Sequence, residues 1–225
     1  MEISHLKDRK GDIMARNKEE EAKRLLEMSE FDKAAKNGRN IVLAGVDEAG
    51  RGPLAGDVFA AAVVLPEGLI IEGLNDSKKI SPKKRDMLFD VIKEKALSYS
   101  VATASVAEIE ETDILSANFM AMKRAVEALS VKADLVLVDG NLKIRNLETE
   151  NIPVIKGDAL SMSISVASIL AKVSRDRYME EMAKLYPEYQ FEKHKGYGTA
   201  LHTSLIKEFG PSPIHRLSFL KNILK

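Results

Sequence analysis

The sequence predicts an α/β protein in which a mixed sheet is covered by helices on both faces and followed by a helical C-terminal end. Three observations predict it. Continuous apolar runs of strand length fall at residues 41–46, 58–65, 135–138 and 152–155; segments with helical apolar spacing lie between and after them; and the order runs from strands to alternating strand and helix to helices alone. With 225 residues, 45% of them hydrophobic, the chain can bury a sizeable core, which excludes wholesale disorder.

Residues 1–39 read as a charged helical extension whose main apolar anchors are Leu25, Leu26, Met28 and Phe31, with Gly38 as its stop. Ten basic residues against nine acidic ones mean that it is no simple basic arm. So few anchors predict weak docking, and a chain beginning near Asn40 is expected to fold and to carry the catalytic domain over residues 40–225. The runs at 41–46 and 58–65 flank a Gly/Pro-rich segment and read as a hairpin-like strand pair. Ser81 before Pro82 is an N-cap with proline at the first helical position, opening a helix to about Ala96. A strand over 99–105 follows, then one or two helices over 107–129, a short strand ending at Asp139, a strand over 152–155 and a helix over 161–185. Residues 193–199 read as a loop, followed by two short amphipathic helices.

The composition narrows the function classes. No run of eighteen apolar residues occurs and the charged first thirty residues hold no export signal, so a soluble, cytoplasmic protein without a membrane partner is expected. With no cysteine, any metal must be held by oxygen or imidazole. The formal net charge is zero, so a nucleic-acid partner would have to meet a local basic surface. Lys78, Lys79, Lys83, Lys84 and Arg85 offer one such cluster, and the tail from Gln190 another.

Asp47, Glu48, Asp139 and Asp158 each follow an apolar strand. Carboxylates gathered at one edge of a sheet repel one another unless protonated or bridged by cations, and hard ions such as Mg²⁺ take oxygen ligands. Pattern alone fits turn formers and helix caps equally well. Asp47 and Glu48 also point to opposite faces of a strand, and reach one site only if the strand bends or Glu48 approaches from its end.

The segment 45–56, Gly-Val-Asp-Glu-Ala-Gly-Arg-Gly-Pro-Leu-Ala-Gly, resembles the signature of the ribonuclease HII family. Further family blocks are resembled, in order, by 76–79 (Asp-Ser-Lys-Lys), 138–140 (Val-Asp-Gly), 156–159 (Lys-Gly-Asp-Ala), 163–176 and 194–199 (His-Lys-Gly-Tyr-Gly-Thr). The resemblance implies a ribonuclease-H-like core with a helical C-terminal region that helps grip the duplex. It places the family's catalytic and metal-site carboxylates on Asp47, Glu48, Asp139 and Asp158, with Mg²⁺ or Mn²⁺, two ions with substrate bound. Gly50, Arg51 and Gly52 would read the adjacent phosphate and the ribose 2′-hydroxyl, the one group by which RNA is told from DNA at a nucleotide. Tyr197 would stack on the following sugar, and Lys78 would lie near the scissile phosphate.

The implied activity is endonucleolytic cleavage of the RNA strand of RNA·DNA hybrids and incision 5′ of single ribonucleotides in duplex DNA, leaving 5′-phosphate and 3′-hydroxyl ends. Its implied uses are ribonucleotide repair and RNA primer removal in replication. Lys172, Arg175 and Asp176 fit either phosphate binding or tying a helix to its neighbours. Ser163, Ser165 and Ser168 read as packing or capping residues, and His5, His194, His202 and His215 as dispersed loop or capping residues. Asp57 stands where the family often has proline. Two other readings are a ribonuclease HIII-like enzyme, which would carry Gly-Lys-Gly at 50–52 and a larger N-terminal duplex-binding domain, and a non-catalytic binder of hybrids, against which four intact carboxylates weigh.

Overall fold

A computed structural model describes residues 2–75, 77 and 80–224, with side chains described from residue 17 onward. Lys78, expected near the scissile phosphate, lies outside the described residues. The chain order is α1 (Glu2–Ala35), β1 (Leu43–Ala49), β2 (Val58–Val64), α2 (Pro82–Lys95), β3 (Ser98–Ala104), α3 (Val106–Glu111), α4 (Ile114–Glu127), β4 (Leu135–Asp139), β5 (Glu150–Val154), α5 (Gly157–Leu160), α6 (Met162–Leu185), α7 (Phe191–His194) and α8 (Ala200–Phe209).

The strands form one mixed sheet in the order β3-β2-β1-β4-β5. Both pairings on the β2 side are antiparallel and both on the β4 side are parallel. β2 is buried along its whole length, and its three consecutive alanines let helices lie close on both faces. On one face α4 covers Ala44, Val46, Ala60, Ala62 and Val138. On the other, α6 packs on β1 and β2, with α1 and α2 outside it. The first ten residues of α6 are buried all round, because the helix is enclosed between the sheet and that outer layer. Gly45 permits this contact, since a Cβ there would stand 2.1 Å from the carbonyl carbon of Ser163.

Local signals explain the boundaries. Ser81 accepts a hydrogen bond from the Lys84 N–H with Pro82 at the first position of α2. Between the helices that the sequence left as one or two, Ser105 and Glu108 form a capping box on α3, and Asp113 accepts from Leu115 and Ser116 at the start of α4, so the chain makes two. Asp57 holds the start of α3 by accepting the Val106 N–H at 3.0 Å.

Three expectations are corrected. Weak docking of the N-terminal helix does not hold for its second half: Leu25 and Met28 are 2% exposed in the α6 core, whereas Leu26 faces solvent. Asp32 there accepts from Ser161 Oγ and from the N–H and Oγ of Ser163, closing the start of α6. Within the expected loop over 193–199, Lys193 and His194 belong to the single turn of α7, which left-handed residues Gln190 and Lys195 delimit. Of the two expected amphipathic helices, α8 is present, but the second is one 3₁₀ turn, Leu217–Phe219. The residues before it, 214–216, are held extended by pairing with residues 54–56 instead of coiling.

Candidate active site

Pairing decides how the carboxylates meet. β1 stays in register with β2 as far as Ala49 opposite Phe59, but its pairing with β4 stops at Val46 opposite Val138. The last residues of β1 thus have an open edge, around which side chains from both faces reach one cleft. No bend is needed. That cleft, about 560 Å³, is lined by Asp47, Glu48, Asp139 and Asp158 together with Gly50, Arg51, Gly52 and Tyr197. Every described residue that the sequence singled out for the site is therefore on its wall.

Each carboxylate is held locally. Asp47 is buried on the α6 side, where Ser168 bonds its carboxyl group and the Glu48 N–H donates to its Oδ1 at 2.7 Å. Glu48 turns toward Arg51, whose Nη1 stands 3.3 Å from its Oε1, and toward Asn118 of α4. Asp139 Oδ1 accepts from the Gly157 N–H at 2.7 Å and more weakly from that of Asp158 at 3.4 Å, so the turn after β5 is tied to the end of β4. Burial, and then the charges of Glu48 and Asp139, push the Asp47 carboxyl well above the usual carboxylate range. Burial likewise raises Glu48 despite the nearby Arg51 guanidinium. An all-oxygen donor set under this mutual repulsion suits a hard cation.

Gly50 needs its lack of a side chain: φ is +102°, and a Cβ would meet Arg175 Nε at 2.1 Å. Arg175, left undecided by the sequence, is a tie: it is buried and donates to the carbonyls of Asp57, Ala55 and Lys195. Lys172 and Asp176 pair at 2.7 Å, with Arg85 3.7 Å from the same carboxylate, and Lys172 and Arg85 also reach the cleft wall. Ser168 does more than pack, since it bonds both Asp47 and Ser77. Sequence reading passed over Asn118 and Arg216, which carry no periodic or motif signal of their own.

Three of the histidines, His194, His202 and His215, are not dispersed, which corrects that expectation for them; the side chain of His5 lies outside those described. His194 stacks on His202 at 4.2 Å, and His202 Nε2 lies 3.0 Å from His215 Nε2, with Phe191 against all three rings. They support the tyrosine: His202 Nδ1 is hydrogen-bonded to the Tyr197 carbonyl at 3.0 Å, and the Tyr197 N–H donates to the His194 carbonyl. Burial, and next the neighbouring His194, lowers His202 to about 4, and burial lowers His215 to about 4. A folded value below the ordinary 6.5 means that the cluster's contribution to stability is complete above pH 6.5 and lost as pH falls toward 4. The thermal midpoint should therefore drop between pH 7 and 5, with a shallower slope in His202→Gln. Equal slopes in the two proteins would contradict this role.

A mixed sheet covered on both faces, with a carboxylate-lined cleft at the end of its central strand, is compatible with a ribonuclease H-type endonuclease, and the likeness to known proteins decides it. The profile of the family described as Ribonuclease HII matches residues 44–222. The chain belongs to that family. A ribonuclease HII of Caldicellulosiruptor bescii is 57% identical over 182 residues, 81% of this chain and 88% of that one. Another, from Ruminiclostridium cellulolyticum, is 53% identical over 205 residues, 91% of this chain and 80% of its own length. Among solved structures, the ribonuclease H2 of Pyrococcus horikoshii superposes with a TM-score of 0.68 at 28% identity, covering 82% of this chain and 97% of that one.

Proposed function

We propose that this enzyme hydrolyses the RNA strand of RNA·DNA hybrids and incises duplex DNA on the 5′ side of a single embedded ribonucleotide, using divalent cations held by Asp47, Glu48, Asp139 and Asp158. The observation that carries the reading is the convergence of those four carboxylates and the 50–52 segment on one cleft. Among the described residues no three acidic or imidazole side chains close a metal cage by themselves. Ions here would need further oxygens from water and substrate, the coordination that Mg²⁺ usually takes. Bound Mg²⁺ or Mn²⁺ would activate the attacking water and stabilise the departing 3′ oxygen.

The chain's own groups supply recognition. Glycines at 50 and 52 let the main chain approach a ribose, and Arg51 offers a guanidinium for the adjacent phosphate. Tyr197, 41% exposed, presents a ring that Lys172 Nζ and Arg175 Cζ approach at 5.7 and 5.9 Å, so it suits a sugar beside a phosphate. No described helix is long and apolar enough to cross a membrane. A 5′-phosphate and a 3′-hydroxyl are the ends that polymerase and ligase chemistry uses, which supports roles in ribonucleotide repair and primer removal in the cytoplasm.

The test is turnover of one labelled RNA strand annealed to DNA or to RNA. Cleavage confined to the hybrid supports the reading, and equal cleavage of both duplexes contradicts it. Tyr197→Ala should lower kcat/KM at a single embedded ribonucleotide by about tenfold, the worth of one ring–substrate contact. A lowered thermal midpoint with unchanged activity would make Tyr197 a packing residue.

A further inference from the structure

Arg216 is wholly buried near the end of the chain, yet its guanidinium is spent on one distant loop. Nη2 donates to the carbonyls of Gly50 and Gly56, both at 2.6 Å; Nη1 to those of Arg51 and Pro53, at 3.1 and 2.9 Å; and Nε to Gly56 at 2.9 Å. The acceptors are main-chain oxygens, so the cation is not simply half of an ion pair. Burying a guanidinium costs several kcal/mol unless its donors are met, and the loop carbonyls meet them. Backbone pairing adds to the hold: the Arg216 N–H donates to Leu54 and the Gly56 N–H to Ile214, each at 2.8 Å.

The peptide unit gives these bonds a direction. In a trans peptide the carbonyl of one residue and the N–H of the next point opposite ways. Drawing the Gly50 and Arg51 carbonyls inward onto Arg216 turns the N–H groups of Arg51 and Gly52 outward, on the stretch that lines the cleft. Those are the donors a ribose hydroxyl and its phosphate would meet.

We infer that Arg216 is a positioning residue for ribonucleotide selection: by holding the carbonyls of residues 50–56 it aims the Arg51 and Gly52 N–H groups at the substrate. This rests on the reading proposed above, that residues 50–52 face the ribonucleotide. Arg175 assists from the far end, tying Ala55 and Asp57 to Lys195 in the loop that carries Tyr197. Lysine cannot replace Arg216, because three donors on one nitrogen cannot fork to carbonyls on both sides of the loop.

The test compares wild type with Arg216→Lys on a duplex holding one ribonucleotide and on an all-DNA duplex of the same sequence. We expect kcat/KM for the ribonucleotide duplex to fall at least about 30-fold, as loss of a forked guanidinium contact implies. The dissociation constant of the uncut all-DNA duplex should stay within about threefold, because phosphate contacts remain. Unchanged kcat/KM, or an all-DNA affinity that falls by the same factor, overturns the inference. Failure of the wild type to cut the ribonucleotide duplex would instead refute the reading on which it rests. If Arg216→Lys does not fold, the wild type decides by nuclear magnetic resonance. The Arg216 Nε–H signal should shift with the ribonucleotide duplex and not with the all-DNA duplex; an equal response, or none, overturns the inference.

Discussion

Replacing Asp139 with Asn is expected to lower the cleavage rate by about 10³-fold or more while leaving duplex binding measurable, because it removes a charge from the proposed ion site without altering the groove. The substitution is nearly isosteric. An asparagine Oδ1 can still accept the 2.7 Å bond from the Gly157 N–H, so the turn that carries Asp158 should stay in place. Loss of one of several mutually repelling carboxylates should also leave the fold at least as stable in the absence of metal. The check is single-turnover cleavage beside thermal melting and duplex affinity. A mutant that cuts at the wild-type rate would remove Asp139 from the site.

The second large effect concerns the N-terminal helix. A chain beginning at Asn40 is expected to be markedly less stable than the full chain, although any cutting that remains should map to the same nucleotide. Leu25 and Met28 are buried against α6, and full burial of such side chains is worth about 1.5–3 kcal/mol each. Their joint loss, about 3–6 kcal/mol, is a large share of the roughly 5–15 kcal/mol that holds a typical domain together. Truncation also strips Asp32 from Ser161 and Ser163 at the start of the helix that supplies Ser168 to Asp47. Urea unfolding of the two chains measures the difference. Coincident midpoints would show that the helix is the separable extension its composition suggests.

That contrast shows how far the sequence is legible. Apolar runs gave most of the strands because they depend on local order along the chain; the carboxylates that follow them stand out by position, but only the resemblance made them a site. Ser81 with Pro82 announces a helix start through local order as well. What could not be read depends on contacts between distant segments. Leu25 and Met28 look like sparse anchors until α6 is set against them. His194, His202 and His215 look scattered until the segment 214–216 pairs with residues 54–56, and Arg216 is one basic residue in a basic tail until its carbonyl partners more than 150 positions earlier are known. The 50–52 segment itself was legible only through resemblance, since Gly-Arg-Gly reads equally well as a plain turn.

One measurement bears most directly on the claim that four strand-end carboxylates and a main-chain reading loop form a ribonucleotide-directed, cation-dependent cutting site. A DNA duplex with one internal ribonucleotide is incubated with the wild-type enzyme in Mg²⁺, in Mn²⁺ or in EDTA, and the cut is mapped to the nucleotide with its end groups identified. The account predicts a single cut on the 5′ side of the ribonucleotide, with a 3′-hydroxyl and a 5′-phosphate, in either metal and none in EDTA. A cut elsewhere, a cut that survives EDTA, or no cut in either metal would contradict it.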